Sequence, residues 1–225
     1  PVKAADPDLS DRLNTEQCAA VRALDQASVV LLSGGPGTGK TSTVVEILAR
    51  AEARHPGLRI GLAAPTGKAA RRLGEAVMAQ RAPLPCSTLH RWLEAGSRGF
   101  GRHRQRPLEL DLLVIDEMSM LDLALTQALL EALPSGCRLL LVGDPAQLPP
   151  VGSGAVWHRL QQSDVRGRFG AGAVHLERTY RNRGALAQVA QQLRQGNLEA
   201  FAADLAALPE QANLQVHPWP LRRFP

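Results

Sequence analysis

One stretch constrains this chain more than any other: Ser33-Gly34-Gly35-Pro36-Gly37-Thr38-Gly39-Lys40-Thr41. Gly34, Gly39, Lys40 and Thr41 fit the pattern GxxxxGK[ST], whose glycines let consecutive backbone N–H groups turn inward around a polyphosphate with no side chain in the way. Such a loop works only between a strand and a helix, and both are readable. Val29-Val30-Leu31-Leu32 is a short, unbroken apolar run, as a parallel strand buried on both faces requires, and Val45, Ile47 and Leu48 recur at helical spacing between Ser42 and Arg50. Phosphate would rest on the helix N-terminus, where unpaired N–H groups and the helix dipole favour an anion. There Lys40 would reach the β- and γ-phosphates and the Thr41 hydroxyl a Mg²⁺ ion. Gly35, Pro36, Gly37, Thr38 and Ser42 would complete the cradle.

The same stretch argues for an α/β domain with a parallel sheet flanked by helices. Only 4% of residues are aromatic, so the core must be mainly Leu, Val and Ala, which suits a doubly wound sheet better than a β-sandwich. A length of 225 residues allows one large domain or one and a half smaller ones. The net charge of +5 favours a polyanionic partner. Cys18, Cys86 and Cys137 are odd in number and widely separated, without CxxC spacing or a nearby His, and so read as reduced, packed thiols of a cytoplasmic protein. No run approaches the roughly 20 apolar residues of a membrane span, and no signal peptide is apparent. The chain begins with Pro and ends at Arg222-Arg223-Phe224-Pro225, so both ends are expected to be cut from something longer.

A second chemical landmark is Leu112-Leu113-Val114-Ile115-Asp116-Glu117, where four apolar residues deliver two adjacent carboxylates to a strand end. One can bind Mg²⁺ through water while the other orients and deprotonates an attacking water. The pair gains its meaning from the phosphate loop upstream. A helix is expected near Leu121 to Leu133, then a strand at Leu139-Leu140-Leu141-Val142 ending in Gly143-Asp144-Pro145-Ala146-Gln147. Gln147 has no structural necessity in this reading and can report a γ-phosphate by hydrogen bonding.

Other segments carry two readings each. Asn14 and Gln17 form a helix start, with Gln17 read from local pattern as a capping residue. A strand at Leu58 to Ala64 leads into Thr66-Gly67-Lys68-Ala69-Ala70-Arg71-Arg72-Leu73, which places a hydroxyl and three cations close to the sheet edge where open α/β sheets bind ligands, or else opens a solvated basic helix face. Ser87-Thr88-Leu89-His90 starts a short helix, with His90 either a packing residue or a nucleic-acid strand contact. Arg98 to Arg106 is the most basic run and, between Gly96 and Pro107, reads as a protruding hairpin with Phe100 free to stack on a base, or as a solvated loop. Gly152 to Leu160 reads as a helix, followed by a polar loop through Gly172, a strand at 174–177, helices at 184–194 and 198–208, and a late strand at 214–216.

Taken together, the segments LNTEQ (13–17), GGPGTGKT (34–41), AAPTGKAARRL (63–73), STLHRWL (87–93), VIDEMSM (114–120), GDPAQLPPVGSG (143–154) and LERTYRN (176–182) resemble superfamily 1 helicases of the RecD type, the alpha subunit of exodeoxyribonuclease V and its stand-alone relatives. The resemblance implies a RecA-like domain of an ATP-dependent DNA helicase, 5′→3′ in polarity, acting in recombination or double-strand-break repair with ATP and Mg²⁺ as cofactors. It implies that Gln17 reads adenine and Tyr180 stacks on it, that Lys40 and Thr41 hold phosphate and metal, and that Asp116 assists the metal while Glu117 activates water. Gln147 would sense the γ-phosphate and Arg181 contact it. Thr66, Gly67, Lys68 and His90 would lie along single-stranded DNA, with Phe100, Arg102 and Arg104 in a small insertion, 94–110, that contacts the duplex. Partners would be single-stranded DNA, or duplex with a single-stranded end, and other exodeoxyribonuclease V subunits. Residues 1–12 read as linker, 13–208 as the first motor domain and 209–225 as the start of a further linker or domain. No second RecA-like domain is found before Pro225.

Rival readings remain. A relaxase-linked or Pif-like superfamily 1 motor shares the motifs, a small-molecule kinase shares the phosphate loop, and a nucleic-acid-binding module with a degenerate motor would share the basic segments. The Asp116-Glu117 pair and Gln147 speak against the kinase, and intact Lys40, Thr41, Asp116 and Glu117 against degeneration.

Overall fold

Side-chain alternation along the strands decides the layers. Val30 and Leu32 join one hydrophobic cluster and Leu31 another, on the opposite face of the same strand. The computed structural model describes residues 13–180, 192–193 and 196–207. Two compact units divide after Arg178. The first contains α1 (Thr15–Gln26), β1 (Val29–Gly34), α2 (Lys40–Arg54), β2 (Ile60–Ala64), α3 (Gly67–Met78), β3 (Cys86–Thr88), α4 (Leu89–Trp92), β4 (Ala95–Gly96), β5 (Gly99–Phe100) and β6 (Leu112–Ile115). It continues through α5 (Leu123–Ala132), β7 (Arg138–Gly143), α6 (Val156–Gln161), α7 (Ser163–Arg166) and β8 (Ala173–Leu176). In the second unit, α8 (Leu198–Ala206) is capped by the Asn197 side chain, which accepts from Ala200 N–H at 3.1 Å.

Six strands form one sheet in the order β3-β2-β6-β7-β1-β8, and every pairing is parallel. Leu24, Ile47, Leu48, Leu73 and Val77 from α1, α2 and α3 cover one face. Leu89, Leu125, Leu129 and Trp157 from α4, α5 and α6 cover the other. Because all six strands run the same way, their C-terminal ends share one edge, and the phosphate loop, Thr66-Gly67-Lys68, the Asp116-Glu117 pair and Gln147 all follow strand ends there.

Gly143, the last residue of β7, shows how closely a helix is fitted to this edge. A Cβ added there would lie 2.7 Å from the Trp157 ring, whose side chain is 1% exposed. Gly143→Ala is therefore expected to destabilise the fold by about 1–3 kcal/mol, the usual cost of overpacking, read as a lower urea midpoint at unchanged slope.

Three expectations are corrected. Cys86–Thr88 is an edge strand paired with β2 through Leu62↔Cys86, and the helix expected at Ser87 begins two residues later, capped by Thr88. A strand this short has no alternation to reveal it. Of the helix expected from Gly152, only Val156–Gln161 forms, because Gly154 takes φ +90° and Ser153 C=O accepts from Leu123 N–H at 3.0 Å, tying this stretch to the start of α5. The polar loop after it contains α7 and a 3₁₀ segment, Gly167–Gly172. The strand expected at 214–216 and nearly all of the helix at 184–194 lie outside the described residues.

The basic segment folds as a small antiparallel hairpin, Ala95↔Phe100 and Gly96↔Gly99. Its base is fastened by Glu94, at φ +52°, whose carboxylate accepts from Arg102 Nε at 2.8 Å and Arg106 Nη1 at 2.7 Å. Arg102 also donates to Pro107 C=O at 3.0 Å. The guanidinium groups hold the Glu94 carboxyl below its ordinary value.

Candidate active site

The loop after β1 is shaped by backbone rather than side chains. A Cβ at Gly34 would come within 2.7 Å of Thr38 Oγ1 and 2.9 Å of Leu176 C=O, so only glycine fits where β8 passes. Gly37 and Gly39 take φ +78° and +86°, the left-handed conformation that turns N–H groups into the concavity. Thr38 braces the loop from within, its hydroxyl donating to Gly35 C=O at 2.9 Å. Helices α1, α3 and α5 carry side-chain caps from Asn14, Thr66 and Asp122, whereas α2 starts after Gly39 with none. Its first-turn N–H groups are left to face a ligand. Lys40 folds back across the loop, Nζ donating to Gly34 C=O at 2.7 Å and Gly35 C=O at 2.9 Å, which fixes its ammonium over the cradle. Thr41 and Ser42 are exposed at the helix start. These features fit a bound polyphosphate.

Across β7 from this loop, β6 ends in the two carboxylates. Asp116 N–H donates to Ala63 C=O at 2.9 Å, continuing the ladder, and its Oδ1 accepts from Glu117 N–H at 2.9 Å. Burial pushes the Asp116 carboxyl up, while the Glu117 N–H and the charges of Lys40 and Arg72 pull it back. Asp116 thus sits in the field of the phosphate-loop lysine. Glu117 takes φ +57°, a left-handed geometry costly for a residue with a Cβ. Its Oε2 accepts from Gln147 Nε2 at 3.2 Å. Gln147 in turn is gripped by Ser119, whose hydroxyl donates to Oε1 at 2.6 Å, and its backbone C=O accepts from His158 Nε2 at 2.9 Å. Asp144, 5% exposed, turns the chain between β7 and Gln147 by accepting from Ala146 N–H at 2.9 Å.

Gln17 serves the helix and is aimed by it. Asn14 Oδ1 accepts from Gln17 N–H at 2.8 Å, and Gln17 Oε1 accepts from Asn14 N–H at 3.0 Å, a complete capping box that leaves Nε2 unengaged among the described residues. Glu16 Oε2 accepts from Glu177 N–H at 2.9 Å, pinning the start of α1 to the end of β8.

Thr66, Gly67 and Lys68 open α3 at the end of β2. The Thr66 hydroxyl is occupied as the cap, accepting from Ala69 N–H at 3.2 Å. Gly67 is exposed, and a Cβ there would meet nothing within 4 Å. Lys68, His90 and Arg104 are exposed, and Phe100 is 37% exposed on β5. Arg102 is committed to Glu94 and Pro107, whereas Arg98 and Arg104 make no ion pair among the described residues. A cavity of about 530 Å³, lined in part by Cys86, Arg91, Trp92 and Arg102, lies at the foot of the hairpin. The phosphate loop does not line it. Tyr180 belongs to the second unit, and Arg181 lies outside the described residues.

Among the described residues no three His, Cys, Asp or Glu side chains gather as a metal site. A Mg²⁺ held largely by phosphate oxygens and water requires only one or two protein ligands, a number that Thr41 with Asp116 would supply. No described helix is long and apolar enough to cross a membrane. Sequence reading missed Ser119, His158, Glu16 and Asp144, since an isolated Ser, His or carboxylate carries no local pattern.

The chain is 42% identical over 191 residues to the ATP-dependent RecD2 DNA helicase of Deinococcus radiodurans, covering 84% of this chain and 25% of that protein. It is 41% identical over 212 residues to the RecBCD enzyme subunit RecD of Mycolicibacterium smegmatis, covering 85% and 37%. The chain thus spans about a quarter to just over a third of these curated relatives. Among solved structures, two coordinating Pif1 helicases at forked double-stranded DNA share the fold at a TM-score of 0.59, with 22% identity, over 91% of this chain and 52% of that one. Bacteroides Pif1 bound to single-stranded DNA does so at 0.56, with 21% identity, over 92% and 51%. The AAA domain family matches residues 17–153, a span holding the phosphate loop, the Asp116-Glu117 pair and Gln147. On that match, which takes in more than half of its length, the chain belongs to the AAA domain family, whose phosphate loop implies nucleotide binding with a divalent metal.

Proposed function

We propose that this chain is the first motor domain of a RecD-type DNA helicase, binding ATP–Mg²⁺ at the phosphate loop and single-stranded DNA along the C-terminal edge of the sheet. The observation that carries the reading is the hydrogen bond between Gln147 and Glu117 on the edge that also holds Lys40 and Asp116. A kinase needs an acceptor substrate at that position. A carboxylate linked to an amide instead suits a water nucleophile coupled to a γ-phosphate sensor. When bound, Mg²⁺ would neutralise charge on the phosphate oxygens, with Thr41 and Asp116 to hold it. Lys40 would orient the β- and γ-phosphates, Glu117 would take the proton of the attacking water, and Gln147 would fix the γ-phosphate by hydrogen bonding. Gln17, with Nε2 directed by its capping box, would read the adenine edge. The 5′→3′ polarity and the role in recombination or double-strand-break repair belong to this proposal, as do other exodeoxyribonuclease V subunits as partners, the last supported by the RecBCD subunit name of the Mycolicibacterium relative.

DNA would run over Gly67, Lys68 and His90, with Phe100 and Arg104 of the hairpin beyond; Arg102 would act by shaping that hairpin. The fold requires no glycine at position 67, where φ is negative and space is open. Gly67→Ala is therefore expected to hold or slightly raise stability, by up to about 1 kcal/mol, because alanine stiffens the unfolded chain and favours a helix. The same methyl group would obstruct a phosphodiester at the start of α3 and weaken oligonucleotide binding several-fold. Fluorescence anisotropy with a labelled single strand, across a salt series, tests both parts. Binding should weaken with salt by about −0.7 in log–log slope for each phosphate neutralised. Salt-insensitive binding, or unchanged affinity in Gly67→Ala, would count against this DNA path.

A further inference from the structure

Gln147 is exposed and follows a turn, so its orientation must come from elsewhere. Two contacts supply it. Glu117 Oε2 accepts from the amide, so the side facing it is Nε2 and the side facing Ser119 is Oε1. Ser119 must then donate its proton to Oε1 and is itself fully buried, at 0% exposure, in the 3₁₀ turn Met118–Met120 directly after the carboxylates. The other contact is to backbone. His158 Nε2 lies 2.9 Å from Gln147 C=O, and because a carbonyl only accepts, the ring carries a proton on Nε2. Nδ1 of the same ring is buried with no partner among the described residues, so its contact with Gln147 is the one the ring is placed to make. His158 is set there by its neighbour Trp157, seated against Gly143.

We infer that Ser119 and His158 are positioning residues that clamp Gln147 from side chain and backbone and thereby set how strongly this site discriminates a nucleoside triphosphate from a diphosphate. The inference rests on the nucleotide reading proposed for this site. In this arrangement Gln147 Nε2 is held on Glu117. A γ-phosphate would draw Nε2 off the carboxylate, and the clamp makes that exchange a rotation between two fixed partners rather than a search by a loose side chain. The exchange also releases Glu117 Oε2 to accept a proton from water.

The test measures affinities of the protein for a non-hydrolysable ATP analogue and for ADP, both with Mg²⁺. Ser119→Ala should reduce the preference for the triphosphate about 2- to 13-fold, the range for losing one hydrogen bond between neutral groups, with ADP affinity unchanged. His158→Phe keeps the ring volume and loses the donor, and should lower the same ratio. His158→Gln keeps a donor of similar reach and should restore much of it. In a Gln147→Ala background, Ser119→Ala should add nothing, whereas a merely structural role would act additively. If wild type discriminates but Ser119→Ala weakens both nucleotides equally, or costs as much in the Gln147→Ala background, the clamp is overturned alone. If wild type itself shows no preference and Lys40→Ala binds like wild type, the nucleotide reading falls and the clamp with it.

Discussion

Lys40→Ala is expected to lose nucleotide binding by about 100-fold or more while the fold stays intact. Its ammonium donates to the loop carbonyls of Gly34 and Gly35 at 2.7 and 2.9 Å, and its side chain belongs to neither hydrophobic cluster. The expected loss is that of a charge-assisted contact which Lys40 would make to two phosphates at once, each worth about 1.5–3 kcal/mol in a partly dehydrated site. Stability should change by less than about 1 kcal/mol, because the cradle is held by glycine dihedrals and by Thr38 rather than by the lysine. Titration of a fluorescent nucleotide alongside a thermal melt separates the two quantities. Wild-type affinity in Lys40→Ala, or a collapse of the fold with it, would count against the assignment.

Glu117→Gln is expected to separate binding from chemistry. The amide preserves side-chain volume and an oxygen that can still accept from Gln147 Nε2, so the chain of contacts from Ser119 through Gln147 to residue 117 survives. What disappears is the capacity to take a proton from water, for which general-base contributions of about 10² to 10⁴ in rate are typical. Turnover should fall by that factor with nucleotide affinity changed only a few-fold. A rapid-quench measurement of phosphate release under single-turnover conditions reads it directly. Retention of the wild-type rate would remove Glu117 from the role of base and pass that role to Asp116. The left-handed geometry of Glu117 supports the first assignment, since it turns the side chain toward Gln147 at the expense of backbone comfort.

The parts of this site that are legible in sequence are those built from consecutive residues. The phosphate loop specifies its own strand, turn and helix start, and an apolar run that terminates in Asp116-Glu117 specifies a strand end, so both lie on the sheet edge. The start of α2 at Lys40 rather than Ser42 is a small difference, since the loop's last glycine already sits at the cap. Tertiary partners are less legible. Nothing around Arg102 indicates that Glu94, eight positions earlier and in a left-handed conformation, will engage it, and so the basic run looks more uniformly available for nucleic acid than it is. Gln17 illustrates a different limit. Local pattern points to capping and resemblance to adenine recognition, and the geometry leaves room for both, because capping uses Oε1 and leaves Nε2 pointing elsewhere. Ser119 and His158 are invisible in sequence because each matters only through Gln147, 28 and 11 residues away in the chain.

The helicase assignment meets its hardest trial in the hydrolysis of ATP radiolabelled at the γ-phosphate, followed in the full-length protein with and without a single-stranded oligonucleotide. A DNA-driven motor releases inorganic phosphate at a rate that rises by orders of magnitude with the oligonucleotide and is abolished in Glu117→Gln. Phosphate release indifferent to DNA, or label transferred to a small-molecule acceptor instead of water, would overturn it.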